Sequence, residues 1–170
     1  MTNLNSKNFD PSKLQDVEEL ALLPLVVKDA LVNSYDGGVV VILRGPGKTF
    51  AENLDASTGT ALMFARSGLS EHAHIKTIYQ VYLGTMRELG ITLESVTLES
   101  QHGDVLYCRL EWCKKDHRRI YTVMSLGDAL VLMHLADAKL QVVRKVLDNM
   151  DDCDEWVYEN DIMDDDMDDD

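Results

Sequence analysis

Cysteine is scarce and carries no pattern. The three thiols, Cys108, Cys113 and Cys153, form no metal-ligand or redox motif. This spacing excludes a zinc ribbon or a disulfide-stapled scaffold and predicts reduced thiols in a cytoplasmic protein. No apolar run approaches the length of a membrane span. The first residues lack the apolar core of a signal peptide, so neither a spanning segment nor a cleaved leader is expected. Lys and Arg are missing from Asp148 to Asp170, a stretch that holds 13 of the 30 acidic residues. Residues 1 to 147 are left with 17 acids against 16 bases, a net of about −1. The body is therefore nearly neutral and the tail carries the charge. Such a body predicts weak nucleic-acid binding, because that affinity comes chiefly from counterion release by basic residues.

What is present is a hydrophobic rhythm that changes twice. Ile75, Ile78, Tyr79, Tyr82, Leu83, Met86 and Leu89 recur at helical spacing, and Gly90 suits the left-handed position that ends a helix. From Ile91 the period becomes two through ITLESVTL. Ser100 to Asp104 then reads as a turn, and Val105 to Trp112 as a second strand. A charged turn from Lys114 to Arg119 leads to a third strand, Ile120 to Met124. Ser125-Leu126-Gly127-Asp128 has capping-box spacing, with Leu126, Ala129, Leu130 and Met133 forming the next apolar stripe. Leu140 to Val143 predicts a last strand, and Arg144 to Met150 a helical turn or two.

Upstream, Asp10-Pro11 predicts a helix start with Leu14, Val17, Leu20 and Ala21 facing inward and Pro24 closing it. Leu25 to Ser34 and Val39 to Leu43 flank Tyr35-Asp36-Gly37-Gly38, an Asp-Gly hairpin signal, so these strands should pair antiparallel. Arg44-Gly45-Pro46-Gly47-Lys48 lacks the spacing of a phosphate-binding loop and reads as a plain turn. Asp55 to Ser57 offers N-caps for a helix carrying Ala61, Leu62, Phe64 and Ala65 and stopped by Gly68. The expected organisation is an N-terminal extension over 1–24, an α+β domain over 25–150 with a mixed, largely antiparallel sheet packed with helices, and an acidic tail without fixed structure over 151–170. Within that tail, Trp156, Val157 and Tyr158 are the only large apolar handle.

The order of LG, ITLESVTLES, GDVLYCRLEW, a charged turn, a strand, GDALVLMHLADAKLQV and a VLD segment resembles the bifunctional nuclease (BFN) domain, a family with DNase and RNase activity. The skeleton agrees over roughly Leu25 to Asp148. Of the family's Asp-Ala-Arg-Pro-Ser-Asp-Ala segment, Asp128 and Ala129 stand here. Its Thr-His-Asp falls on Lys76, Thr77 and Ile78, and the glutamate of its Ile-Gly-x-x-Glu-Ala segment is replaced by Thr58. The resemblance implies a BFN-like α+β fold, phosphodiester hydrolysis assisted by a divalent metal such as Mg or Mn, and a homo-oligomer.

The residues themselves offer several candidates. Asp128, Glu99 and Asp104 are candidate catalytic carboxylates, and His102, between Glu99 and Asp104, is a candidate acid-base group. Lys114, Lys115, Arg118 and Arg119 form the one concentrated basic patch and are candidates for contact with the nucleic-acid backbone, although no row of aromatics accompanies them. Asp128 also has a structural explanation as a helix N3 acid. Glu71-His72-Ala73-His74 could offer ligands to a metal but reads better as a solvated loop, and His134 reads as a packed or partly exposed histidine. The acidic tail lacks the spacing of an ordered calcium loop. A second reading is a non-catalytic regulatory protein whose tail binds a basic partner or mimics nucleic acid.

Overall fold

The computed structural model describes residues 20–33, 37–68 and 76–153. The expected helix from Asp10, the Glu71 to His74 segment and the stretch from Asp154, with Trp156 to Tyr158, lie outside the described residues. In chain order the elements are β1 (Leu22–Pro24), β2 (Val26–Val32), β3 (Val39–Gly45), β4 (Lys48–Leu54), α1 (Ala56–Arg66), α2 (Ile78–Glu88), β5 (Ile91–His102), β6 (Val105–Lys114), β7 (Arg119–Ser125), α3 (Leu126–Ala136), β8 (Lys139–Val143) and α4 (Arg144–Asn149). The class is α+β, with a largely antiparallel mixed sheet packed against helices.

The larger sheet has the order β1-β8-β5-β6-β7 and the smaller one β2-β3-β4. All pairs are antiparallel except β5 with β8, where Val96 lies opposite Leu140 and Leu98 opposite Val142. The chain uses one pattern twice, a three-stranded meander followed by an 11-residue helix: β2-β3-β4-α1, then β5-β6-β7-α3.

Alternation along β6 sets the faces of the larger sheet. Leu106, Cys108, Leu110 and Trp112 are buried, while Tyr107, Arg109, Glu111 and Cys113 between them are only partly covered. The buried face receives the helices. Helix α3 is buried through Leu126, Gly127 and Ala129 to Met133, wider than the expected stripe, as befits a helix apolar nearly all round. Its core neighbours include Leu62 of α1 and Leu83 of α2. Trp112 packs edge-on against Tyr82 at 5.7 Å, and its indole N–H donates to Thr122 Oγ1 at 2.8 Å, so its polar atom is satisfied inside.

Several expectations need correction. Leu20 and Ala21 lie in no helix, and Leu22–Pro24 is an edge strand paired with β8, where a proline costs no ladder bond. Strand β4 has no counterpart among the expected elements; it completes the Gly45–Lys48 hairpin opposite β3. Ile78 and Leu89, members of the expected apolar stripe, are 74% and 69% exposed because α2 starts at N-cap Thr77 and only its middle faces the core. Ser100 to His102 belong to β5, so the turn shrinks to Gly103 and Asp104. Fixed structure also passes Asp151: Cys153 N–H donates to Thr49 O at 2.9 Å, and Asp152 Oδ1 accepts from Thr49 N–H at 3.4 Å.

Candidate active site at the helix N-termini

Helices α1, α2 and α3 begin at one pole of the molecule. Asp55 caps α1, its Oδ1 accepting from Ser57 and Thr58 N–H at 2.9 and 3.0 Å. Thr77 and Gln80 form a reciprocal capping box on α2. Ser125 caps α3 with its Oγ 3.4 Å from Asp128 N–H. The first turns of α1 and α3 touch at Gly127, where an added Cβ would come within 2.9 Å of Thr58 Cγ2 and 3.0 Å of Leu54 Cδ2.

Asp128 stands at this junction. Its Oδ1 accepts from the Tyr79 hydroxyl of α2 at 2.6 Å, and its Oδ2 from the Ser125 hydroxyl at 2.7 Å. The two hydroxyls fix the orientation of its carboxyl group. Burial, and then the hydrogen bond to Asp128, push the Tyr79 phenol up to about 12, so at neutral pH it is a proton donor held in place. On one side lies a cleft of about 230 Å³ lined by Glu52, Asp55, Thr58, Asp104 and Ser125. Burial raises the Glu52 carboxyl above its ordinary value. On the other side an apolar cavity of about 550 Å³ is lined by Ile78, Tyr79, Val81, Tyr82, Met124 and Leu132, with Asp128 in its wall.

The candidate residues divide. Asp128 and Asp104 flank the same junction, Asp104 from the β5–β6 turn. Glu99 does not join them. It falls where the β5–β6 register shifts and pairs with Arg109 at 3.1 Å on the face of the sheet away from the helices. The Arg109 guanidinium in turn lies 5.2 Å from the Tyr121 ring centroid. His102 packs its ring against Tyr107, also on that outer face, at 5.7 Å.

The basic patch divides too. Arg118 is paired with Asp116 at 2.6 Å and Arg119 with Glu111 at 2.5 Å. Lys114 and Lys115 instead join Arg87 at the opposite pole. The sequence alone does not point to Tyr79, Glu52 or Arg87. Tyr79 reads there only as apolar, although a phenol in the first turn of a helix is a signal that could have found it.

Among the described residues no three His, Cys, Asp or Glu side chains stand close enough to share a metal ion. Asp128, Asp104 and Glu52 thus do not form a divalent-metal cage by themselves. Also among the described residues, no helix is long and apolar enough to cross a membrane. Compared with protein-family models and with curated proteins, the chain matches none.

Proposed function

We propose that the chain is a divergent protein of the bifunctional nuclease type, acting on the phosphodiester backbone of DNA or RNA, with Asp128 at the centre of its site. The observation that carries this reading is the position of Asp128. The one acidic residue that matches the family's second polar segment is held by Tyr79 and Ser125 where three helices begin, one residue beyond Gly127 in the wall of a cleft lined by Asp104 and Glu52. Hydrolysis of a phosphodiester needs a group to orient or deprotonate water and a group to meet the charge developing on phosphate. A carboxylate supplies the first. Backbone N–H groups of the first turn of α3, whose Leu126 and Gly127 line the cleft, supply the second, while the Tyr79 phenol gives its one proton to Asp128 and positions that carboxylate. Reduced thiols at Cys108, Cys113 and Cys153 suit a cytoplasmic setting, and self-association belongs to the same proposal.

The test is cleavage of labelled single- and double-stranded DNA and RNA by the full chain, with magnesium, with manganese and with chelator. Asp128→Asn and Asp104→Asn should lower turnover by roughly a hundredfold or more, within the range expected for loss of an acid-base group. Glu99→Gln on the outer face should not. Unchanged turnover in Asp128→Asn would remove that residue from the site.

One observation favours a second reading, that the chain is a non-catalytic regulator. Both oxygens of Asp128 are already engaged by protein hydroxyls, and Glu99 is neutralised by Arg109. On this reading the acidic stretch binds a basic partner or stands in for nucleic acid. Truncation after Cys153, which keeps the bonds to Thr49, should then raise nucleic-acid affinity with a steep salt dependence.

A further inference from the structure

The three helices that begin around Asp128 end together at the other pole. Ala65 and Gly68 from the end of α1, and His134 and Leu135 from the end of α3, face α2 across a cleft of about 440 Å³ that runs the length of α2, from Lys76 before its N-cap through Gln80 and Gly84 to Arg87 in its last turn. A neighbouring cleft of about 170 Å³ is lined by Arg87, Gly90, Lys114 and Lys115. Arg87 is common to both. None of the described residues lining either cleft is acidic.

Part of this charge has a purely structural reason. Arg66, Arg87 and His134 occupy the last turns of their helices, where a cation complements the negative end of the helix dipole. Arg87 Nη2 also donates to Leu135 O at 3.4 Å, helping to cap α3. The lysines have no such reason. Lys76 precedes the N-cap of α2, and Lys114 and Lys115 come from the β6–β7 hairpin. That hairpin is pinned here by backbone bonds: Lys115 N–H donates to Gly90 O at 3.0 Å, and Lys114 N–H to Arg118 O at 2.9 Å. Gly90 is buried at φ 72°, and a Cβ there would meet Lys115 Cδ and Cε at 2.8 Å, so the lysine stem lies flat across it. Lys114 and Lys115 are thus brought to helix ends whose dipoles are already balanced, and Lys76 adds a third cation at the other end of the α2 cleft, against their mutual repulsion. His134 Nε2 is buried beside them with no hydrogen-bond partner, a donor or acceptor still open.

We infer that the line of cations running along α2 and onto the β6–β7 hairpin is the track for the phosphate backbone of a nucleic acid, with phosphates meeting Lys76, Arg87 and the Lys114–Lys115 pair. The inference rests on the reading that the chain engages nucleic acid, and it moves the interface away from Arg118 and Arg119, whose charges are neutralised by Asp116 and Glu111. Cations set along clefts with no carboxylate among their described lining residues are what backbone binding requires, and they carry no base specificity.

The experiment uses the full chain, a fluorescein-labelled oligothymidylate and a labelled DNA duplex, with anisotropy read at low salt and across a salt series. Lys76→Glu/Lys115→Glu should weaken binding at least tenfold and reduce the slope of log K against log salt by roughly 0.7 to 0.9 for each phosphate that is no longer neutralised. A control with the same change in net charge, Lys28→Glu/Lys139→Glu, should weaken it less than threefold. Arg118→Gln should leave it within twofold. All four lysines are exposed, so the melting temperature should hold; if the reversals lower it, Lys76→Gln/Lys115→Gln replaces them with the same expected ranking. Equal weakening by the test and control pairs, or none by either, overturns the track while leaving nucleic-acid binding in place. A wild-type chain that binds neither probe at low salt overturns both the track and the reading beneath it.

Discussion

The Tyr79 hydroxyl donates to Asp128 Oδ1 across 2.6 Å, tying the first turn of α2 to that of α3. Tyr79→Phe removes the donor and leaves a carboxylate oxygen without its protein partner. It should cost about 1.5–3 kcal/mol in urea unfolding, the range for a hydrogen bond to a charged group. Because the folded-state pKa is raised to about 12, this contribution is fully present below the ordinary tyrosine value of 10.0 and is lost as pH climbs from there through about 12. A spectrophotometric phenolate titration should show one tyrosine lagging the others. That late component should vanish in Tyr79→Phe and move to lower pH in Asp128→Asn.

Three glycines in helices should respond to alanine with different signs. At Gly59 an added Cβ would come 2.6 Å from Val39 Cβ and 3.3 Å from its backbone nitrogen, so α1 would have to lift off β3; about 1–3 kcal/mol of destabilisation is expected. At Gly127 the obstacles are the side-chain ends of Thr58 and Leu54, which can turn, so the loss should be smaller. At Gly84 nothing lies within 4 Å, and alanine should stabilise α2 by about 0.5–1 kcal/mol. Thermal and urea unfolding of the three variants tests the ranking, and a stable Gly59→Ala chain would contradict the close approach of α1 to its sheet.

The elements with strong punctuation were legible in the sequence: Gly90 ending α2, Ser125 opening α3, Asp55 opening α1, and the paired strands around Asp36 and Gly37. What escaped was side and distance. The β5–β6 register shifts at Glu94 and at Glu99, and each shift breaks the alternation by which faces are counted, so Glu99 could not be assigned to the face away from Asp128. Arg87 and Lys76 are far in sequence from Lys114 and Lys115, and it is the β5–β6 register, with Ile91 opposite Lys114, and the bond from Lys115 N–H to Gly90 O that bring the hairpin to the end of α2. Clustered letters at Lys114 to Arg119 thus overstated one patch, half of which is consumed by ion pairs, and hid a larger one assembled by the fold. Strand β4 is hard to read because KTFAENL has few β-branched residues and owes its form to the hairpin with β3.

Cys108 is wholly buried in the β6 core, and burial pushes its thiol up to about 12; Cys113, on the opposite face, is also raised, by desolvation and then by the Glu94 carboxylate. The thiolate is the reactive form, so Cys108 should resist a disulfide reagent at pH 8 in the folded protein and react only on global opening. Labelling followed by peptide mass spectrometry should therefore place Cys113 well ahead of Cys108. Glu94→Gln should accelerate Cys113 by lowering its pKa and leave Cys108 unchanged. Equal labelling of both thiols under native conditions would contradict the packing of β6 beneath α3.

His134 titrates below the ordinary histidine value of 6.5, because burial disfavours the imidazolium and the Arg66 guanidinium repels it. Lys76 and Arg87 line the same cleft. A depressed folded-state pKa means that the unfolded chain takes up the proton first. The stability that comes from keeping the ring neutral is thus fully present above about 6.5 and is lost as pH falls from there through the folded value. Arg66→Gln removes the leading charge and should raise the His134 midpoint in a proton NMR titration of the imidazole signals, while narrowing the pH interval over which stability declines. His134→Gln should abolish that interval's contribution altogether. A midpoint for His134 at or above 6.5 in the wild-type chain would mean that the cleft is open to solvent or already holds an anion; in the second case phosphate added to the sample should move the signal further, and in the first it should not.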